Sequence, residues 1–240
     1  MTKSKLAGAR ALEPIIKIEK KNGEVRNAAY EHPFAIRVTH WLNAIALFVM
    51  VGSGLQIFRA FPSVGAKIPQ QDLLNVPKSV ALGGWLGGGL QWHFTFAVIY
   101  VATGVFYIVY QIFSGQSRQV LFVPADIRGV WPMLRYYLFL GPKPSLGATY
   151  NPLQKLAYTS AGLLGVLSVA SGIAVWKPVQ FSWLAWMFGG FHYARLIHFG
   201  VMWAILFFVF GHLIMVVLHG WSNFASMWTG WKEDPEYVAR

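Results

Sequence analysis

Seven histidines occur in this 240-residue chain, and four of them, His40, His93, His198 and His212, are embedded in long apolar runs. An ionisable side chain inside a membrane span is costly, so a histidine there needs a partner or a task. Imidazole can hydrogen-bond, relay a proton or ligate a metal. His198 and His212 lie 14 residues apart in one apolar run. On a helix that is four turns less about 40°, which puts both rings on nearly one face, about 21 Å apart along the axis. Ligands so separated cannot share one metal ion, but each can serve one of two stacked metal cofactors, one toward each side of a bilayer.

The elements that must position them are membrane spans. Hydrophobic residues make up 55 % of the chain and charged residues 12 %, about half the charge of an average soluble domain. That balance excludes a disulfide-bonded secreted scaffold, a disordered tail and an ordinary cytosolic enzyme. The absence of cysteine excludes thiolate chemistry, cysteine-ligated zinc, iron–sulfur clusters and covalent haem attachment. Four apolar runs, at 38–58, 90–113, 153–176 and 196–218, are each long enough to cross the hydrocarbon core. The first starts too deep in the chain, and runs too long, for a cleaved signal peptide.

The net charge of +11 invites a nucleic-acid reading, but no basic helix or base-stacking platform accompanies it, and no nucleic-acid partner is expected. Eight Lys and Arg lie up to Arg37, five between Arg118 and Lys155 and two in the tail, against five on the opposite side. Fifteen against five predicts both termini in the cytoplasm. The expected organisation is a polar arm at 1–36, loosely ordered, a membrane domain at 37–219 and a tail at 220–240. The segment Pro124-Ala125-Asp126 predicts the start of a short interfacial helix running to Tyr137.

Depth then pairs the histidines. His40 opens the first span at the cytoplasmic side, and His212 lies in the cytoplasmic half of the fourth. His93 and His198 both fall in the external halves of their spans. Each pair joins two different helices, as a bis-imidazole haem needs. Arg37 and Arg195 each stand three residues before a pairing histidine, in Arg37-Val38-Thr39-His40 and Arg195-Leu196-Ile197-His198. At that spacing a guanidinium lies one turn nearer the membrane surface, suited to a haem propionate, although snorkelling explains such an arginine equally well. Gly52, Gly54, Gly104, Gly162, Gly165 and Gly172 permit close approach of helices or of a flat macrocycle. His32 is expected to be solvated in the arm and His192 to lie at the external surface. His219, seven residues after His212, is its rival as ligand and otherwise an interfacial residue beside a quinone.

These residues resemble a family. The run His32-Pro33-Phe34-Ala35-Ile36-Arg37-Val38-Thr39-His40-Trp41-Leu42-Asn43, the pair Gly83-Gly84-Trp85-Leu86 and Gln91-Trp92-His93-Phe94, and Trp176-Lys177-Pro178-Val179-Gln180 carry the likeness. Phe188-Gly189-Gly190 and Ala194-Arg195-Leu196-Ile197-His198-Phe199 complete it. The chain is similar, over about residues 31–219, to the di-haem cytochrome b subunits of respiratory complexes in the bacterial cytochrome b561 superfamily. Those include the formate dehydrogenase gamma subunit, the nickel–iron hydrogenase cytochrome b and the thiosulfate reductase type. The resemblance implies haem b on the same four histidines and a quinone site near the cytoplasmic haem. It carries that site onto Asn151 and Gln154 of Tyr150-Asn151-Pro152-Leu153-Gln154-Lys155, where Asn151 can also simply cap the helix. The polar stretch at His219 and Trp221-Ser222-Asn223 departs from the family pattern.

The expected fold is therefore an all-α membrane protein, a four-transmembrane-helix bundle holding two b haems. The expected function is electron transfer between an external, periplasmic oxidoreductase and the quinone pool (menaquinone or ubiquinone) from the bacterial inner membrane. The resemblance suggests a molybdopterin-dependent partner. The competing readings are a non-redox membrane anchor and a proton transporter using histidine relays.

Overall fold

A computed structural model of the chain describes residues 15–19, 25–62, 75–115, 117–144 and 150–233. Four helices are long and apolar enough to cross a membrane: α1 (Phe34–Ala60), α2 (Leu86–Phe113), α5 (Pro152–Trp176) and α7 (Phe191–Leu218). Between them lie the short helices α3 (Ser117–Val120), α4 (Ile127–Tyr137) and α6 (Ser182–Met187), and α8 (Gly220–Thr229) follows α7. Helices α1, α2 and α7 begin four or five residues before the apolar runs read from sequence. The extra turns carry Arg37, Gly87 to Gly89 and His192 with Arg195. A helix continues into the interfacial layer beyond the hydrocarbon, where hydropathy no longer marks it.

Two compact units make up the chain. Residues 42–209 form one, which holds most of all four long helices. Here α1 packs on α2, where the Thr103 hydroxyl donates to Asn43 Oδ1 at 2.8 Å, and on α7, where Phe58 stacks on Phe199 at 4.9 Å. Helix α2 meets α5 through Phe94 and Trp176, 5.1 Å apart. Ala174, Leu184, Ala185 and Ala194 form a buried cluster that seats α6 between the ends of α5 and α7. Ahead of α2 the chain turns at Gly83, with φ +112° and so little space that a Cβ would lie 2.5 Å from the Gly89 nitrogen. Only glycine fits that turn.

The connection between α2 and α5 contains the expected short helix. Pro124–Asp126 form a 3-10 turn leading into α4. Asp126 accepts from the Val123 N–H at 2.9 Å and pairs with Lys155 at 3.0 Å, tying α4 to α5. The hydrogen bonds hold the Asp126 carboxyl below the usual aspartate range, the Val123 N–H being the larger cause and Lys155 the lesser.

The second unit comprises residues 1–41 and 210–240, of which 1–14, 20–24 and 234–240 lie outside the described residues, as do 63–74 between α1 and α2. The arm expected to be loosely ordered instead contributes strands β1 (Ile15–Glu19) and β2 (Val25–Tyr30), and the tail adds β3 (Trp231–Glu233). The sheet is antiparallel throughout, in order β1-β2-β3, with Ala29 opposite both Ile15 and Lys232. The cause is local: Ile15, Ile16 and Ile18 favour strand, and Asn22-Gly23 between the two runs is a hairpin signal. The tail also folds into α8, whose Trp228 stacks on Trp41 at 4.2 Å while the Trp41 Nε1–H donates to the Met227 carbonyl at 3.0 Å. His32, expected to be solvated, is half-buried at this junction, and burial is the main cause that lowers its pKa below the ordinary histidine value.

Candidate cofactor site: two histidine pairs

The structure brings the four span histidines together in the pairs that depth predicted. His40 and His212 have ring centroids 6.2 Å apart with planes at 58°. His93 and His198 have centroids 6.3 Å apart with planes at 76°. An iron between two imidazole nitrogens sits about 2.0–2.1 Å from each, as His–metal bonds generally do. A ring of ~1.35 Å bonds has its centre about 1.1 Å behind its nitrogen. The centroids of a bis-imidazole site therefore belong about 6.3 Å apart, and both pairs have that spacing.

The hydrogen bonds of the second pair set its tautomer. His93 Nδ1 lies 3.1 Å from the Met50 carbonyl and 3.2 Å from Ser53 Oγ on α1. His198 Nδ1 lies 3.1 Å from the Ser168 carbonyl and 3.1 Å from Ser171 Oγ on α5. A carbonyl only accepts, so each Nδ1 carries the hydrogen and Nε2 keeps the lone pair that a metal needs. Gly172 permits the close approach of His198, since an added Cβ would lie 3.1 Å from its Cε1, whereas a Cβ on Gly54 would be in ordinary contact, 3.4 Å from His93 Cε1. In the first pair, His40 Nδ1 and the neighbouring Arg37 Nε are buried without a hydrogen-bond partner among the described residues. Arg37 spends another nitrogen on the Trp228 carbonyl. Arg195 likewise donates to the Phe61 carbonyl, at 2.5 Å. A guanidinium has five donors, so both arginines retain capacity toward a carboxylate.

Among the described residues no three or more His, Cys, Asp or Glu converge. Two imidazoles alone would not complete the coordination of a metal ion, so a pair of this kind would suit a metal whose remaining ligands come from a macrocycle such as porphyrin. His40, His93 and His198 are half-buried and His212 is exposed, which leaves space at the rings for a planar group. A Cβ on Gly104 or Gly162 would meet nothing within 4 Å, so close helix packing does not account for these glycines. These residues fit b-type haem.

The residues expected at a quinone site have structural roles. Asn151 Oδ1 accepts from the Gln154 N–H at 2.9 Å, and Gln154 Oε1 accepts from the Asn151 N–H at 3.0 Å. That reciprocal box caps α5, with Pro152 as its first residue. The Asn151 amide also donates to the Tyr137 hydroxyl at 3.2 Å. His219 is exposed, and its Nδ1–H donates to the Met215 carbonyl at 2.7 Å. Exposed His192 stands in the first turn of α7. Sequence reasoning missed Ser53 and Ser171. Their signal is a Ser-Gly step inside each of two apolar runs, at 53–54 and 171–172.

Long apolar helices that set histidines in facing pairs at iron-spanning distance define a membrane cytochrome of the b type. The family described as prokaryotic cytochrome b561 matches residues 31–230, and the chain belongs to it. It is accordingly a multi-pass bacterial membrane protein that carries b-type haem and transfers electrons. Among its relatives is a protein of Azospira oryzae provisionally named the protein-methionine-sulfoxide reductase subunit YedZ1. It is 37 % identical over 187 residues, covering 78 % of this chain and 90 % of the relative. A provisionally named Ni/Fe-hydrogenase B-type cytochrome subunit of Cupriavidus necator is 28 % identical over 213 residues, covering 82 % of each chain. The corresponding hydrogenase 1 subunit of Escherichia coli is 24 % identical over 216 residues, covering 83 % of this chain and 86 % of the relative.

Proposed function

We propose that this chain is the di-haem membrane subunit that carries electrons between an external oxidoreductase and the quinone pool. The observation that carries the reading is the separation of the rings in each histidine pair, 6.2 Å and 6.3 Å, which suits one iron per pair. Haem supplies reversible one-electron exchange when bound. His40 and His212 hold the haem nearer the cytoplasm, and His93 and His198 the haem nearer the outside. Arg37 and Arg195 present their remaining donors to propionates.

The excess of Lys and Arg on one side supports cytoplasmic termini in the bacterial inner membrane. Quinone exchanges electrons and protons at the cytoplasmic end; Asn151 and Gln154 at the start of α5 are candidates to contact it, and so, on its own element, is His219. The names of the relatives, subunits of a sulfoxide reductase and of hydrogenases, support an oxidoreductase partner. Resemblance to membrane subunits of molybdopterin complexes supports that cofactor in the partner.

The test is a pyridine haemochrome assay per mole of purified protein, for the native chain and four single His→Ala variants. Two haems b per chain are expected, with one lost on changing either member of a pair. One haem per chain, or loss that does not follow the pairs, would refute the di-haem assignment. A folded chain with no haem would leave the non-redox anchor.

A further inference from the structure

Helices α1 and α5 offer the same cradle to a histidine of a neighbouring helix. On α1 it consists of the Met50 carbonyl, the Ser53 hydroxyl three residues later and Gly54 immediately after. On α5 the Ser168 carbonyl, Ser171 and Gly172 repeat that spacing. Both serines are fully buried. Each spends its own hydrogen on its helix: Ser53 donates to the Val49 carbonyl and Ser171 to the Leu167 carbonyl, both at 2.7 Å. The hydroxyl oxygen is therefore left as an acceptor, 3.2 Å and 3.1 Å from the respective Nδ1. Each imidazole N–H is thus shared between two oxygens, one of them polarised by its own donated bond.

We infer that Ser53 and Ser171 are positioning residues that fix the rotation and raise the basicity of His93 and His198, and so hold down the reduction potential of the haem these two ligate. The inference rests on the di-haem reading above. An imidazole whose N–H is drawn toward acceptors gives more electron density through its other nitrogen, which favours the ferric over the ferrous ion. His40, whose Nδ1 has no partner among the described residues, lacks such a cradle. The effect should therefore be confined to one of two haems. A serine that merely satisfied its own helix by back-bonding would leave the potential unmoved.

The experiment is a spectroelectrochemical titration of the purified full chain, native and with S53A, S171A, both together, and S53T and S171T, each with its haem content measured. Loss of one of two acceptors should shift the reduction equilibrium of one haem toward the ferrous form by about three- to tenfold per serine, tenfold corresponding to 59 mV for one electron. The second haem should hold its potential, the double variant should multiply the two shifts, and threonine should restore the native value. S53C and S171C, close in volume but with a weakly accepting sulfur, read the same shift if an alanine variant does not accumulate. Two haems retained with both potentials unmoved overturns the inference while the di-haem reading stands. Native protein with fewer than two haems per chain overturns that reading, and the inference with it.

Discussion

Replacing Gly172 with alanine places a methyl carbon 3.1 Å from His198 Cε1 and 3.5 Å from its Nδ1. Carbon contacts are most favourable from about 3.5 Å outward, so the ring must retreat by roughly 0.4 Å. Its Nδ1 is held at 3.1 Å by both Ser168 O and Ser171 Oγ, and a retreat stretches these bonds together. The equivalent change at Gly54 puts the methyl 3.4 Å from His93 Cε1 and 3.6 Å from Nδ1, an ordinary contact. Removing a glycine from a helix interior is worth about 0.8–1 kcal/mol, and overpacking costs about 1–3 kcal/mol. At Gly54 the first effect stands nearly alone. At Gly172 overpacking wins by roughly 1 kcal/mol, about fivefold in the folding equilibrium.

G172A should therefore unfold at a lower temperature than the native protein and perturb the absorption spectrum of one haem. G54A should be neutral or slightly stabilising and leave the spectrum alone. Thermal unfolding in detergent with the Soret band as probe reads both. Equal effects of the two substitutions, or greater damage from G54A, would refute the claim that a few tenths of an ångström at the ring decide the outcome.

Three further outcomes are expected. Asp126 has its pKa lowered in the folded protein by the Val123 N–H and Lys155, so its contribution is complete above the ordinary aspartate value and is lost as pH falls through the lower folded value. Hydrogen exchange at the α4–α5 junction should accelerate in that acidic window, and D126N should exchange fast at neutral pH without the acid dependence. His32 has its pKa lowered mainly by burial, so the unfolded state binds the proton more readily and stability falls as pH drops below 6.5 until the folded value is passed. Replacement by Gln should flatten that slope, measured by the unfolding of the Trp41–Trp228 stack in tryptophan fluorescence. Asn151→Ser keeps a capping oxygen while removing the amide, and should preserve α5 within a few tenths of a kcal/mol, against a loss of about 1 kcal/mol for Asn151→Ala. Slower haem reduction by a quinol in the serine variant is expected from a quinone role; an unchanged rate assigns Asn151 to the cap alone.

The paired histidines were legible because depth in a span follows from counting residues, and a polar ring in hydrocarbon stands out against its neighbours. The cradles were not, because a serine reveals its partner only when the rotation of two helices is known: Ser53 and His93 are 40 residues apart. The hairpin of β1 and β2 was hidden for another reason. Lys17, Lys20 and Lys21 read as a solvated basic arm, and that pattern outweighed three isoleucines and Asn22-Gly23. The third strand has three residues, too few for any periodicity. Helix α8 carries Trp221, Phe224 and Trp228 at helical spacing, a pattern that aromatic residues clustered at the end of a membrane span also produce.

The cradles also bear on the choice between electron transfer and a histidine proton relay. A relaying imidazole accepts a proton at one nitrogen and releases it from the other, so each nitrogen needs a neighbour that can pass the proton on. In His93 and His198 the Nδ1–H points at a backbone carbonyl of an apolar helix, Met50 in one case and Ser168 in the other. An amide oxygen binds that hydrogen but is far too weak a base to carry it onward. The serines offer no way around, because their own hydrogens are committed to Val49 and Leu167. A proton reaching Nε2 of either ring therefore has no exit through Nδ1. The same fixed tautomer leaves each ring with one lone pair at Nε2, which is what an iron ligand requires. The hydrogen bonds that obstruct a relay are those that would suit these two residues to holding an iron.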